Sequence, residues 1–133
     1  GPRSIDELLE DARRHFVRVS PREAAAAMDD GGLLVDIRPY EQRRRDGVVP
    51  GALVIDRNVL EWRLDPQCEH RIPWAARRDH RIMVLCNEGY SSSLAAHTLR
   101  QLGLDATDVI GGFVAWRADG LPVAPMPADD RLA

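Results

Sequence analysis

The chain has 133 residues, which fits one domain with a core of its own and is too short for two ordinary ones. Hydrophobic residues at 44% and charged residues at 29% exclude a disordered chain, and a net charge of −3 gives no electrostatic footprint for nucleic acid. All 18 basic residues are arginine, the two cysteines are too few for a disulfide framework and fit a reducing cytoplasm, and no apolar stretch approaches the roughly 20 residues that span a bilayer.

Gly1-Pro2 reads as a protease-cleavage scar. Ser4-Ile5-Asp6-Glu7 forms a capping box, and Ile5, Leu8, Leu9, Ala12 and Phe16 share one face, which predicts an amphipathic helix over 4–16. This N-terminal helical extension, 1–16, is set apart from a main domain over 17–125 and a tail over 126–133. "VRVSPREAAAAMDDGG" predicts a short strand over 17–19, then a helix capped by Ser20, with Pro21 at its first position and Glu23 as box partner, ended by Gly31-Gly32. "LLVDIRP" is a short apolar strand of the kind buried on both faces of a parallel sheet. "YEQRRRDG" is a polar helical turn whose arginines form a solvated face, and "GALVID" is a second buried strand. Asn58 with Glu61 predicts a capped start for a short helix in "NVLEWRLDP", and residues 66–80 are irregular.

"RIMVL" is the most hydrophobic strand and is expected at the centre of the sheet. "SSSLAAHTLRQLG" predicts a helix with Leu94, Ala95, Thr98, Leu99 and Leu102 as its stripe and Gly103 just past its end. "ATDVI" is a strand and "GGFVAWRADG" a short helix with Trp116 as a core anchor. Alternating strands and helices at this length predict a single α/β domain with a mainly parallel sheet flanked by helices. His15, His80 and His97 are isolated. Cys68-Glu69-His70 lacks the second ligand pair of a metal site, so no metal is expected.

The residues that could do chemistry gather at Cys86. In open parallel sheets, ligands bind beyond the carboxyl ends of strands, against the N-terminus of the following helix. Cys86 sits there, and the backbone N–H groups of Asn87, Glu88, Gly89, Tyr90, Ser91 and Ser92 can curl into an anion-binding nest. A helix N-terminus favours the thiolate, which is the nucleophilic form. The alternative is a buried structural cysteine. Ser91 and Ser92 are expected to cap the helix and offer hydroxyls to the site. Asp36 and Arg38 read first as a structural ion pair and turn, with support of the site as the other reading. Arg57, Trp62 and Arg63 fall in the next crossover, where they supply positive charge at the mouth or, for Trp62, only core.

The chain is similar to the rhodanese-like, or sulfurtransferase, domains over roughly residues 17–125. The segment "LLVDIRPYEQRRRDGVVPGALVID" resembles the family's Asp-x-Arg…Glu…Gly-x-x-Pro-Gly-Ala pattern, "CNEGYSS" its Cys-x-x-Gly-x-x-Ser/Ala loop, and "GGFVAWRADGLPV" its closing motif. The resemblance implies a rhodanese-like fold with no metal or organic cofactor. It implies a cytoplasmic sulfurtransferase or persulfide carrier in which Cys86 accepts sulfane sulfur from a small-molecule or protein donor and passes it to a thiophilic acceptor. Neither nucleic acid nor membrane is expected as a partner. The runner-up is a non-catalytic rhodanese-like binding module or a thiol redox sensor. The sequence departs from the family at four positions: Asn87 and Glu88 open the loop, Ser91 stands where arginine is frequent, and Val48 replaces a histidine. Glu88 beside the nucleophile predicts that thiosulfate, a dianion, is a poor donor. A cysteine-phosphatase branch of the fold carries Cys-x5-Arg, and Ser92 at that sixth position argues against phosphatase chemistry.

Overall fold

The computed structural model describes residues 1–128, so most of the predicted tail over 126–133 lies outside the described residues. Helix α1 (Ile5–Arg13) and α2 (Pro21–Asp29) precede strand β1 (Leu33–Asp36) and α3 (Tyr40–Asp46). Strand β2 (Leu53–Val54), a 3-10 turn (Arg57–Val59) and α4 (Leu60–Leu64) follow. The chain closes with β3 (Arg81–Leu85), α5 (Ser91–Gln101), β4 (Asp105–Asp108) and α6 (Gly112–Ala118).

The four strands form one parallel sheet in the order β2-β1-β3-β4. "RIMVL" is therefore an inner strand, as its apolar run requires. Its alternate residues serve two cores. Ile82, Val84 and Cys86 pack with Val35, Ala95, Ala96, Leu99, Leu60 and Leu64 on one face, under α4 and α5. Met83 and Leu85 pack with Leu34, Ala24, Phe113 and Trp116 on the other, under α2 and α6. A strand buried on both sides needs apolar residues at both parities, and that is what the sequence supplies. Helix α1 lies outside this sandwich, packed on α5.

Several expectations need correction. The strand over 17–19 shrinks to one parallel bridge between Val19 and Val109, because Ser20 at once turns the chain into α2. Helix α1 stops at Arg13, and Ile5 and Leu8 of its stripe are exposed, leaving Leu9 and Ala12 as its buried contacts. β2 holds only two residues and is half-buried, since it forms the sheet's edge. The cap after β2 is Asp56, which accepts the Asn58 N–H at 2.7 Å, not Asn58 itself. The arginine run is not wholly solvated. Arg43 is buried, its Nε donates to the Arg38 carbonyl, and burial pushes the guanidinium pKa down. His15 and His97, expected to be isolated, stack with ring centroids 4.4 Å apart where α1 meets α5.

Candidate active site

From β1 the chain moves to β2 on one side of the sheet, and from β3 to β4 on the other. The carboxyl ends of β1 and β3 thus flank a topological switch point, where α/β sheets open a crevice. Cys86 follows β3 directly, and Ile37 and Arg38 follow β1. Between them lies a hollow walled by Ile37, Arg38 and Pro39, by Gln42 of α3, and by the loop residues Cys86, Asn87, Glu88, Tyr90 and Ser91. Cys86 is buried at its base.

The loop is held by its carbonyls. Cys86 C=O accepts the Phe113 N–H at 2.9 Å, and Asn87 C=O accepts the Val114 N–H at 3.1 Å. Gly89 C=O accepts from Arg13 Nη2 and Arg18 Nη2, each at 2.8 Å. Every peptide bond among the described residues is trans, and in a trans peptide the N–H points opposite to the C=O. The amides of Asn87, Glu88 and Tyr90 are thereby turned away from those anchors, and none of them has a hydrogen-bond partner among the described residues. The Gly89 N–H donates to Cys86 Sγ at 3.1 Å. Unpaired amides in a tight loop at the start of an eleven-residue helix are suited to hold a negative charge.

Two glycines permit this geometry. Gly89 has φ +87°, and a Cβ there would lie 2.7 Å from the Gly111 nitrogen. Gly112 has φ +60°, and a Cβ would come within 2.5 Å of the Cys86 carbonyl oxygen. Only without side chains can α6 approach closely enough to hold the loop.

The serines do something other than cap. Helix α5 has Tyr90 at its N-cap position and no side-chain cap bond, which corrects the expected capping role of Ser91 and Ser92. The Ser92 hydroxyl accepts from the Cys86 thiol at 3.2 Å and donates to Asp108 Oδ2 at 2.7 Å. A hydroxyl has one proton to give, so while Asp108 takes it, Ser92 faces the sulfur as an acceptor. The Ser93 hydroxyl also donates to Asp108 Oδ2, at 2.8 Å, and accepts from Arg13 Nε at 2.9 Å. Asp108 is fully buried at the end of β4, and Arg18 neutralises it through a two-pronged ion pair at 2.8 and 3.0 Å.

The other candidates are distributed around this centre. Asp36 and Arg38 form a fully buried ion pair at 2.8 Å, with Arg38 also donating to the Gly47 carbonyl and lying 3.8 Å over the Phe113 ring. Arg57 lines a second hollow that shares Ile37, Arg38 and Pro39 with the first, and pairs with Glu61 at 2.9 Å. Trp62 is 57% exposed on α4, so it is not core, and it does not line the Cys86 hollow. Arg63 donates to the His70 carbonyl and is outside that hollow. Cys68, a free thiol, accepts the His70 N–H in the irregular stretch and is likewise outside it. No cluster of three or more metal-ligating side chains occurs among the described residues.

Arg13, Arg18, Ser93 and Asp108 were not singled out from the sequence. A carboxylate in "ATDVI", at the end of an otherwise buried strand, was the available signal, since such a charge requires a partner.

The family model for the rhodanese-like domain matches residues 20–119. The chain belongs to this family. A maize relative, adenylyltransferase and sulfurtransferase MOCS3-2 (Zea mays), is 33% identical over 126 residues, which is 92% of this chain and 24% of that protein. This rhodanese-like chain thus spans about a quarter of the maize protein's length. Thiosulfate sulfurtransferase GlpE of Stutzerimonas stutzeri (strain A1501) is 31% identical over 106 residues, covering 77% of this chain and 85% of GlpE. Among solved structures, a Rhodopseudomonas palustris CGA009 protein of unknown function, described as a possible tyrosine phosphatase, superposes with a TM-score of 0.84 at 32% identity. That match covers 93% of this chain and 96% of the other.

Proposed function

We propose that this rhodanese-like domain is a sulfurtransferase or persulfide carrier that works through Cys86. The observation that carries the reading is the sulfur at the base of the β1/β3 hollow, with the Gly89 N–H on Sγ and three unpartnered amides in the same loop. Relatives named sulfurtransferases support it.

In the first half-reaction the Cys86 thiolate attacks the outer sulfur of a donor such as R–S–SH. The donor's S–S bond breaks, R–S⁻ leaves with the electron pair, and Cys86–S–SH forms. In the second, an acceptor thiolate attacks the outer sulfur of the persulfide and Cys86 leaves as thiolate. No net oxidation occurs, and the amides hold the persulfide's negative charge between the two steps. Glu88 at the lip of the hollow supports a preference for a weakly charged persulfide donor over thiosulfate. Arg57 is proposed to offset part of that charge from the adjoining hollow, though its ion pair with Glu61 limits its reach.

Initial rates at varied donor and acceptor test this scheme. A family of parallel lines in double-reciprocal plots, with no turnover by Cys86→Ser, supports it, and intersecting lines or an active Cys86→Ser variant refute it.

The description of the Rhodopseudomonas palustris protein raises phosphoryl transfer as a second reading. Residues 87–92 contain no arginine, and Arg13 and Arg18 are engaged with the Gly89 carbonyl. p-Nitrophenyl phosphate should therefore remain unhydrolysed.

A further inference from the structure

The carbonyls of Cys86 and Asn87 are taken up by α6, but that of Gly89 is taken up by the N-terminal segment. Arg13 ends α1 and Arg18 follows it by five residues, and both precede residue 20, where the match to the family begins. Their guanidinium groups meet on one oxygen, the Gly89 carbonyl, at 2.8 Å each. Each is also fixed by a second partner: Arg13 by the Ser93 hydroxyl, and Arg18 by the buried Asp108. The loop contains no cation of its own and carries Glu88.

We propose that Arg13 and Arg18 are positioning residues for the Cys86 loop, holding the Gly89–Tyr90 peptide with its N–H toward the sulfur side and supplying the positive charge that the loop lacks. The trans peptide makes the geometry: drawing the Gly89 carbonyl toward two guanidinium groups turns the Tyr90 N–H the other way, toward the hollow that Tyr90 lines. Two charge-assisted bonds on the carbonyl also polarise the peptide, which makes that N–H a stronger donor to an anion. Against two guanidinium charges stands one carboxylate, Asp108, so the group behind the loop is net positive. Arg18 has a further effect through Asp108, which takes the proton of Ser92 and so fixes how that hydroxyl meets Cys86 Sγ.

The inference deepens the sulfurtransferase reading but has a readout that does not depend on sulfur transfer. Cys86 alkylation by iodoacetamide, followed across pH by peptide mass spectrometry well below the melting temperature, is compared in four variants of the full chain. Arg13→Met keeps the aliphatic stem and removes the donors. It should slow Cys86 alkylation at neutral pH by about tenfold, the size of one charge-assisted hydrogen bond, and move the profile to higher pH. Arg13→Lys keeps the charge and should recover part of the loss. Arg14→Met is the control, because Arg14 pairs with Glu10 and Asp11 on the outer face of α1 and should leave the profile unchanged. Arg18→Met leaves buried Asp108 unpaired and invites unfolding, so Arg18→Lys is used instead. It keeps Asp108 paired and the Ser92 proton on it but gives up the fork that reaches both Asp108 and the Gly89 carbonyl, and it should slow alkylation by less than Arg13→Met. Profiles for Arg13→Met and Arg18→Lys that match the parent's, or that shift no more than that of Arg14→Met, would overturn the proposal. Slowed alkylation supports it even where no donor loads sulfur, a result that would sink only the sulfurtransferase reading.

Discussion

Glu88 stands two positions after Cys86, exposed at the lip of the hollow, with no ion-pair partner among the described residues. Its charge acts on any anion entering, and screening by water and salt leaves about 1 kcal/mol, near fivefold in rate. Glu88→Gln should raise kcat/KM for thiosulfate by several-fold and change that for a weakly charged persulfide by less. Equal responses from both donors would show that Glu88 does not act through charge. Gly89 constrains the same loop by shape. At φ +87°, with a Cβ 2.7 Å from the Gly111 nitrogen, alanine cannot fit without displacing the loop from α6. Gly89→Ala should cost more than about 1 kcal/mol of stability and slow Cys86 alkylation. Unchanged thermal unfolding and unchanged alkylation would contradict this. Cys86, Gly89 and the loop amides were legible in the sequence because strand, turn and helix start are local signals. The Ser92 hydroxyl was expected at the site, but its bond to Asp108 was not legible, because Asp108 is 16 positions away and only the fold brings them together.

The turn after β1 depends on a buried charge. Asp36 and Arg38 are both fully enclosed, and Arg38 reaches across to the Gly47 carbonyl that closes α3. Removing one partner of such a pair leaves an uncompensated charge, so Arg38→Met should destabilise the fold by about 3 to 5 kcal/mol in urea unfolding. A loss below about 1 kcal/mol would mean that water or relaxation satisfies Asp36. At α2 the capping box pairs Ser20 with Glu23, and the bond from the Ser20 backbone N–H, with the Ser20 hydroxyl, holds the Glu23 carboxyl below its usual value. A depressed carboxyl pKa gives stability that is present above the unfolded value of about 4.5 and is lost as pH falls through the folded value. Glu23→Gln should therefore flatten the stability profile below pH 4.5 relative to the parent, as followed by circular dichroism. Identical acid profiles would show that the box adds no pH dependence. Both capping boxes and the two-sided β3 were readable, since caps and parity are local. β2 and the 17–19 strand were over-read, because an edge strand's length is set by its neighbour and not by its own apolar run.

The molecule as a whole places Cys86 at a switch point and holds its loop from two directions, α6 on one side and the N-terminal segment on the other. The alternation of strands and helices gave the sheet, and three motifs in order gave the family. The N-terminal helix was legible as a helix but not as part of the site, since no local pattern ties Arg13 to a loop 76 positions later. Sulfur transfer through Cys86 is the proposal on which the rest depends. Its most direct measurement is intact mass after incubation with a small-molecule persulfide and removal of the donor, with peptide mapping to locate the change. The expected result is a gain of one sulfur atom on Cys86, reversed by an acceptor thiol and absent from Cys86→Ser. No gain with any sulfane donor, or a gain confined to Cys68, would contradict it and leave a binding module or redox-sensing thiol.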